Sequence, residues 1–200
     1  EGRLDLPLDD EGRIAWEPHH VFFGLQKGES LGRVTSTGKR GKLLARDGTP
    51  LAEGPATART SPLGAAALAI AGSVGSPSRK QEKQLYARGF PPGAPTGTSG
   101  LELAFDERLA GQPGGQLLAV PSDGTLADGR ILASSEPVDG RNVKTTIDPE
   151  IQQAAVEALG GLYGGIAVLD VDTGQVLAVA GLAFSAPQPP GSTFKVITAT

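Results

Sequence analysis

The feature that most restricts the fold is a pair of almost wholly apolar strands near the end of the chain. Residues 164–181 read GGIAVLDVDTGQVLAVAG, with a predicted turn at Asp172-Thr173-Gly174. A strand with one solvated face alternates apolar and polar residues, and neither of these strands does so. We therefore expect the hairpin to lie centrally in a sheet covered on both sides. Asp170 and Asp172 are interpreted as turn-forming residues, not as a catalytic carboxylate pair.

A helix is predicted immediately before this hairpin. Asp148-Pro149 combines a capping carboxylate with a proline at the first helical position, and Gly160 supplies a C-terminal stop. The expected apolar stripe consists of Ile151, Ala155, Ala158 and Leu159. The stripe indicates a helix with one buried face.

Two more helices are predicted upstream. Ser76 and Pro77 fit a capping hydroxyl and a first-turn proline, and this helix is expected to end near Gly89. Ser99 and Glu102 fit a capping box, in which each side chain bonds the backbone N–H of the other residue. Glu102 is interpreted as such a partner in preference to the alternative, an interdomain ion pair. The apolar face of this second helix consists of Leu101, Phe105 and Leu109.

Short strands separated by turns are predicted elsewhere. The segment 38–51 contains a short apolar centre followed by an Asp47-Gly48 turn, as in a strand that enters a hairpin. Residues 116–147 contain the apolar runs QLLAV, RILAS and NVKTTI between Asp-Gly turns, which predicts a β-meander. With 29 glycines and 16 prolines between such elements, the chain is expected to adopt an α+β fold with many loops.

Charge and composition exclude several functions. The net charge of −4 comes from interleaved acids and bases, so no basic stripe indicates a nucleic-acid partner. The longest apolar stretch, 63–72, is about half of the roughly 20 residues that cross a bilayer. The absence of cysteine excludes disulfides and a thiol nucleophile, and His19 and His20 lack a third ligand for a metal. The sequence lacks methionine and a leader pattern, so we expect its natural start upstream, with room for a signal or anchor.

Candidate chemistry appears in the last stretch, 188–200, which reads QPPGSTFKVITAT. Ser192 and Lys195 are three residues apart at the start of a predicted apolar helix, so they share one face. The serine can attack a carbonyl if desolvation keeps the lysine amine neutral enough to accept its proton. Backbone N–H groups in the first helical turn favour a developing oxyanion.

The Ser-x-x-Lys pattern alone is weak evidence, because Ser36 and Lys39 show the same spacing. No apolar helix follows Ser36, which is therefore interpreted as part of a solvated loop. Its surroundings also lack the residues of a phosphate-binding loop.

Several stretches, in the order of the family, resemble the penicillin-binding proteins, the serine transpeptidases of peptidoglycan synthesis. The stretch PPGSTFKVITAT is similar to their active-site helix. The stretch GGIAVLDVDTGQVLAVAG is similar to the first strand pair of their transpeptidase domain, and VKTTIDPEIQQAAVEAL is similar to the entry strand and first helix of that domain. The linker signature of class B enzymes resembles GTSGLELAFDERLAGQPGG, and the first motif of their pedestal resembles KRGKLLARDGTPLA, with Ala45 where the family usually has Asp. The end of the extra N-terminal domain of the methicillin-resistance type resembles WEPHHVFFGLQKGESL.

The resemblance implies an α+β fold, with an elongated pedestal followed by the first part of a penicillin-binding/β-lactamase-like transpeptidase domain. In that domain helices cover an antiparallel sheet. On this interpretation, residues 1–37 end an extra N-terminal domain and 38–140 form a pedestal of the dimerisation type. Residues 141–200 begin the transpeptidase domain and stop after the serine helix.

The resemblance also implies the chemistry. Ser192 would be the acyl nucleophile and Lys195 its general base, with D-alanyl-D-alanine stem peptides of peptidoglycan as substrates and β-lactams as covalent ligands of Ser192. No cofactor is implied. The protein would be anchored on the extracytoplasmic face of the bacterial membrane, beside other cell-wall synthesis or division proteins. The family's Ser-x-Asn and Lys-Thr-Gly motifs are absent from these 200 residues, so the chain alone is predicted to be inactive.

Two alternatives remain open from the sequence. One is a non-catalytic interaction or spacer module of cell-wall synthesis. A β-lactamase or β-lactam sensor would use the same serine and lysine, but the roughly 140 residues that precede the catalytic start argue against such compact proteins.

Overall fold

A computed structural model describes residues 6–20 and 22–183 of the chain, so Ser192 and Lys195 lie outside the described residues. The strands are β1 (Glu29–Ser36), β2 (Leu43–Leu44), β3 (Pro50–Ala52), β4 (Val74–Gly75), β5 (Thr96–Gly97), β6 (Gly114–Pro121), β7 (Arg130–Ser135), β8 (Val143–Lys144), β9 (Gly165–Leu169) and β10 (Val176–Gly181). The α-helices are α1 (Ala65–Ala71), α2 (Arg79–Ala87), α3 (Gly100–Ala104), α4 (Asp106–Ala110) and α5 (Pro149–Leu159). The expected α+β class is confirmed.

An antiparallel three-stranded sheet has the order β1-β6-β7. The first two strands of the predicted meander, β6 and β7, pair as expected, for example Leu117 with Ala133. The prediction for the third strand of the meander, β8, is wrong, because β8 does not pair with β7. It pairs in parallel with β2, with Val143 opposite Leu43. Burial explains the difference: Val143 is 6% exposed and lies in the main core, which a strand beside β7 would not reach.

The main core forms around the predicted hairpin of β2 and β3, which is confirmed. Leu43, Leu51 and Leu109 are at most 1% exposed at its centre. The hairpin turn is closed by Asp47, whose carboxylate accepts hydrogen bonds from the Thr49 backbone N at 2.9 Å and Oγ1 at 2.8 Å. These donors hold the pKa of Asp47 below its ordinary value.

The predicted start of α2 is shifted by two residues. The cap is Ser78 instead of Ser76, because only Ser78 places Gln81 at the third helical position, where the two residues close a capping box. The helix ends at Ala87, and its C-cap Arg88 lies just before Gly89.

The cap of α5 is confirmed. The Asp148 carboxylate accepts hydrogen bonds from the backbone N of Glu150 and Ile151, and Gly160 ends the helix in the left-handed conformation at φ 54°. The predicted apolar stripe is partly wrong, since Ala158 is exposed whereas Gln152 is fully buried. A polar residue thus occupies part of the buried face.

The predicted hairpin of β9 and β10 is confirmed, with Val179 opposite Ala167. The four inner residues of β10 are buried, and they face two different cores: Val179 lies in the main core, while Ala178 and Ala180 pack against α5. For β9 the expectation of two covered faces is wrong among the described residues, because Leu169 remains 53% exposed. Among those residues β9 lies at the edge of a two-stranded sheet.

Asp170 stabilises the turn of this hairpin, as the sequence predicts. Its Oδ1 accepts hydrogen bonds from the Thr173 backbone N at 2.9 Å, the Thr173 Oγ1 at 2.8 Å and the Asp172 backbone N at 3.1 Å. The backbone N–H of Thr173 is the main cause that holds the pKa of Asp170 below its ordinary value, since it favours the charged form. This contribution to stability is present above the ordinary pKa and is lost as pH falls through the folded pKa.

Thr173→Val should therefore raise the pKa of Asp170 towards its ordinary value, because the hydroxyl donor is removed. The measurement is an NMR titration of the side-chain carboxyl carbons. Asp47 is the internal control: its own lowered pKa depends on Thr49 and should not change. An unchanged Asp170 titration in Thr173→Val would contradict the assignment of Thr173 as its donor.

Candidate functional site

The described residues contain a buried cluster of two arginines and two carboxylates, here called the arginine–carboxylate cluster: Arg40, Arg59, Glu102 and Asp106. The Glu102 side chain is 1% exposed and that of Arg40 3%. Arg40 donates from Nε and Nη2 to Glu102 Oε2 at 2.9 and 2.7 Å, and Arg59 donates from Nε to Glu102 Oε1 at 2.8 Å. Both oxygens of the Glu102 carboxylate are therefore occupied by guanidinium donors.

Asp106 extends the cluster to strand β5. Its Oδ1 accepts from Arg40 Nη2 at 2.8 Å and from the Gly97 backbone N at 2.7 Å. Its Oδ2 accepts from Thr96 Oγ1 at 2.7 Å. The largely buried Asp106 carboxylate thus satisfies a backbone and a hydroxyl donor of β5 as well as the arginine.

Arg59 extends the cluster to the segment after β3. Its Nη1 donates to the Gly54 carbonyl at 2.7 Å, and its Nη2 donates to the carbonyls of Gly41 and Ala52 at 2.9 and 3.1 Å. One planar guanidinium therefore contacts three backbone carbonyls and one carboxylate. The cluster joins α3, α4, β5 and the segments on either side of the β2–β3 hairpin.

The sequence interpretation of Glu102 as a capping-box partner is wrong. Ser99 makes no side-chain capping bond to α3. Its Oγ instead accepts from the Ser73 backbone N at 3.0 Å. Glu102 instead forms ion pairs with Arg40 and Arg59, but these are not the interdomain pair of the alternative, because both arginines lie in the same predicted segment, 38–140. A further difference is that the predicted helix is divided at Phe105 into α3 and α4, which brings Glu102 and Asp106 to the same arginine.

The second Ser-x-x-Lys pattern does not lie on a helix. Ser36 is the last residue of β1 and is opposite Gly114, so it belongs to a strand and not to the expected loop. The Lys39 backbone N donates to Asp139 Oδ1 at 2.7 Å. The structure therefore does not give Ser36 and Lys39 the shared helical face that the catalytic pattern requires.

An open cleft of about 850 Å³ lies beside α4, with Arg88, Arg108, Arg141 and Asp139 in its lining. Arg88 donates to the Gly111 carbonyl at 3.2 Å, so one of the arginines also holds the end of α4. Within residues 6–20 and 22–183, no three His, Cys, Asp or Glu side chains form a group that could hold a metal ion. Nor does any helix of this part have the length and apolarity needed to cross a membrane.

His19 and His20 lie in a 3-10 helix, Pro18–His20. Their ring centroids are 4.1 Å apart, and His20 Nδ1 accepts from the Glu17 backbone N at 2.9 Å.

Comparison with known proteins gives a domain match and several similar proteins. Residues 54–145 match the penicillin-binding protein dimerisation domain. The chain is 32% identical to penicillin-binding protein PbpB of Mycolicibacterium smegmatis, over 52% of this chain and 20% of PbpB. It is 29% identical to the probable peptidoglycan D,D-transpeptidase PenA of Neisseria gonorrhoeae, over 48% of this chain and 18% of PenA. The chain thus spans about a fifth of the length of the curated relatives it matches.

The fold is similar to that of Helicobacter pylori PBP2, a penicillin-binding protein solved in complex with MreC. The TM-score is 0.59 at 15% identity, over 76% of this chain and 43% of the PBP2 chain. The domain match and this fold define a mixed α+β pedestal. The matched part of the chain, 54–145, is thus a pedestal, or dimerisation, domain similar to that of the class B penicillin-binding proteins.

Proposed function

We propose that this chain is the pedestal and the beginning of the catalytic domain of a peptidoglycan D,D-transpeptidase. One observation supports the proposal, namely the order of the elements along the chain. The segment matched as the dimerisation domain, 54–145, is followed by α5 and then by β10, whose four inner residues are buried. After β10 the sequence reaches Ser192 and Lys195. A nucleophile that follows a rigid buried strand has the support that acyl transfer requires.

In the proposed reaction, Lys195 Nζ in its neutral form accepts the proton of Ser192 Oγ as that oxygen attacks the carbonyl carbon of the penultimate D-alanine. The tetrahedral intermediate collapses and expels the terminal D-alanine, whose amine takes up the proton held by Lys195 Nζ. The amine of a second stem peptide then attacks the resulting ester, and its proton passes through Lys195 Nζ to Ser192 Oγ as the ester bond breaks and the serine is restored. A β-lactam acylates Ser192 by the same first step. Because its amide is part of a ring, the nitrogen of the cleaved amide stays covalently attached to the acyl group.

The division into domains is part of the proposal. Residues 1–37 would end an extra N-terminal domain, 38–140 would form the pedestal and 141–200 the start of the transpeptidase domain. Strand β1 lies in the first of these segments although it pairs with β6 of the second. An extracytoplasmic position, with an anchor upstream of the chain, follows from the proposed substrate.

The test is an intact-mass spectrum before and after incubation with penicillin. The full-length protein is expected to gain one penicillin mass at Ser192, and Ser192→Ala should lose the adduct completely. Ser36→Ala is the matched control, because it removes the serine of the other Ser-x-x-Lys pattern and should leave the adduct intact. The 200-residue chain should stay unmodified, since it lacks the Ser-x-Asn and Lys-Thr-Gly motifs. An unmodified full-length protein would refute the transpeptidase proposal.

An interaction module is the second candidate, and the sheet β1-β6-β7 favours it. Apolar side chains on both of its outer strands are exposed: Leu31 is 41% exposed, Val34 43% and Ile131 55%. Contiguous apolar patches are typical of protein contact surfaces, and Helicobacter pylori PBP2, which is similar in fold, was solved with MreC bound. A module without catalysis would leave the full-length protein unacylated by penicillin.

A further inference from the structure

Gln152 is the one fully buried polar side chain on α5 among the described residues, with an exposure of 0%. It joins three elements that are distant in sequence. We propose that Gln152 is a positioning residue that fixes β10, and through it the segment carrying Ser192, to the pedestal helix α1. The catalytic part of this inference rests on the proposed function; the structural part does not.

The carboxamide of Gln152 pairs with β10 as a neighbouring strand would. Its Oε1 accepts from the Val179 backbone N at 2.9 Å, and its Nε2 donates to the Val179 carbonyl at 2.9 Å. In the antiparallel register Val179 lies opposite Ala167 of β9. Because both of its backbone groups bond Gln152, they lie on the edge of β10 that faces away from β9. Gln152 therefore satisfies a strand edge that would otherwise be buried without partners.

The second Nε2 hydrogen reaches helix α1. It is donated to the Ala66 carbonyl at 3.1 Å. A glutamine amide has two N–H donors and one carbonyl acceptor, and here both donors and the acceptor are used. Helix α1 lies within the segment 54–145 matched as the dimerisation domain, whereas α5 and β10 follow that segment. Gln152 thus connects the matched domain to the part of the chain beyond it.

Apolar packing alone would hold β10 less specifically. Val179 packs in the main core with Ala67, Ile70 and Ala71 of α1, and Ala178 and Ala180 pack against α5. Small, similar side chains tolerate a shift along the strand, because apolar attraction is not directional. Two hydrogen bonds to one residue do not tolerate it, since they weaken steeply with distance and angle. Gln152 therefore sets where β10 lies between the two cores.

This position matters for the proposed catalysis because the chain continues from β10 towards Ser192. A displacement of about 1 Å at a reacting atom can lower a rate by about 100-fold. A strand fixed at Val179 therefore places the start of the segment that leads to Ser192.

The experiment compares Gln152→Met with Gln153→Met in the full-length protein. Methionine keeps the length and helix propensity of glutamine without its polar groups. Gln153 is the matched control, since it is exposed and its amide bonds only Glu157 on the same helix, at 2.6 Å. Hydrogen exchange is measured at 65–71 and 176–181, and the penicillin acylation rate is measured per folded molecule, well below the unfolding temperature.

Gln152→Met is expected to lower amide protection in both segments by about tenfold or more, because the hydrogen bonds that hold them to α5 are lost. It should lower the acylation rate by about tenfold or more through displacement of the serine segment. Gln153→Met should change neither quantity by more than about twofold. If Gln152→Met does not fold, Gln152→Asn is measured instead, because it keeps the amide but is too short to reach both partners.

The outcomes separate the two proposals. A folded variant with wild-type acylation overturns the positioning role even if its protection falls. Unchanged protection in both segments overturns the connection between α1 and β10. If the wild-type protein is itself not acylated, the transpeptidase proposal and the positioning role in catalysis both fail, and the exchange data alone decide whether Gln152 joins α1 to β10.

Discussion

Glu102→Ala is expected to lower the free energy of unfolding by about 3–5 kcal/mol, the usual cost of removing one partner from a buried ion pair. The physical reason is the state of the two arginines left behind. Arg40 and Arg59 have side chains only 3% and 10% exposed, so they cannot regain water in the folded protein. Arg40 keeps Asp106, but Arg59 loses the only carboxylate that pairs with it among the described residues. Urea denaturation followed by circular dichroism measures the loss.

Glu53→Ala is the matched control for this prediction. Glu53 also forms an ion pair, with Lys42 at 2.6 Å, but the two side chains are 34% and 49% exposed. An exposed pair of this kind contributes less than about 1 kcal/mol and is screened by salt. If Glu102→Ala cost no more than Glu53→Ala, the buried cluster would not stabilise the pedestal, and the capping interpretation of Glu102 would regain support.

Elements with local signals could be predicted from the sequence. The start and end of α5 depend on Asp148 and Gly160, and the turn of the last hairpin depends on Asp170 and Thr173. Each of these contacts joins residues that are at most three positions apart or lie within one helical turn. A short stretch of sequence is therefore enough to predict the ends of the helix and the turn of the hairpin. The two-residue strand β2 was predicted for the same reason, from the Asp-Gly turn that follows it.

Elements that depend on distant partners could not be predicted in this way. Strand β8 follows two paired strands in sequence but pairs with β2, about 100 residues away, because the side chain of Val143 packs in the main core. Glu102 and Gln152 are polar residues in helices, and a local pattern places such residues at caps or on solvated faces. Their burial requires Arg40, Arg59 and Val179, whose proximity only the folded chain provides.

The departure of this chain from the pedestal motif can be placed in the structure. Ala45, where the family usually has Asp, is fully buried in the main core. Its backbone N donates to the Thr49 carbonyl at 2.8 Å, and its carbonyl accepts from the Gly48 N at 3.1 Å. The turn is therefore closed by backbone bonds that do not need a side chain at this position, and alanine leaves no charge to be compensated in the core.

The candidate catalytic residues remain sequence predictions, and the described structure contributes the elements that precede them. Ser192 and Lys195 follow from a pattern and a resemblance. The sequence did not predict the buried polar contacts that hold together the elements preceding these two residues. These contacts are made by Glu102 in the pedestal and by Gln152 beside β10. Both are glutamate or glutamine side chains with fully satisfied hydrogen bonds, and such residues fix unique arrangements better than apolar contacts do.

Gly140→Ala is the second large effect, with an expected loss of about 3 kcal/mol from overpacking. Gly140 belongs to one of the Asp-Gly turns predicted between the strands of the meander, but it lies where three backbone segments meet. Its N donates to the Lys39 carbonyl at 2.8 Å, and the Leu109 carbonyl that it faces accepts from the Gly41 N at 2.8 Å. A Cβ at Gly140 would overlap the Leu109 carbonyl oxygen. The φ of Gly140 is one that alanine adopts, so the whole cost comes from separating these backbones.

Gly75→Ala in β4 is the control, because a Cβ there would meet only the Thr98 methyl group at an ordinary 3.6 Å. Its effect should stay within about 0.5 kcal/mol, as for substitutions that disturb no packing. Thermal unfolding of both variants, followed by circular dichroism, gives the comparison. Equal midpoints would mean that the segments around 40, 109 and 140 can separate without cost. Arg40 and Asp106 lie in two of these segments, so a forced separation would also strain the arginine–carboxylate cluster. The losses in free energy of unfolding caused by Gly140→Ala and Glu102→Ala should therefore be less than additive in the double variant.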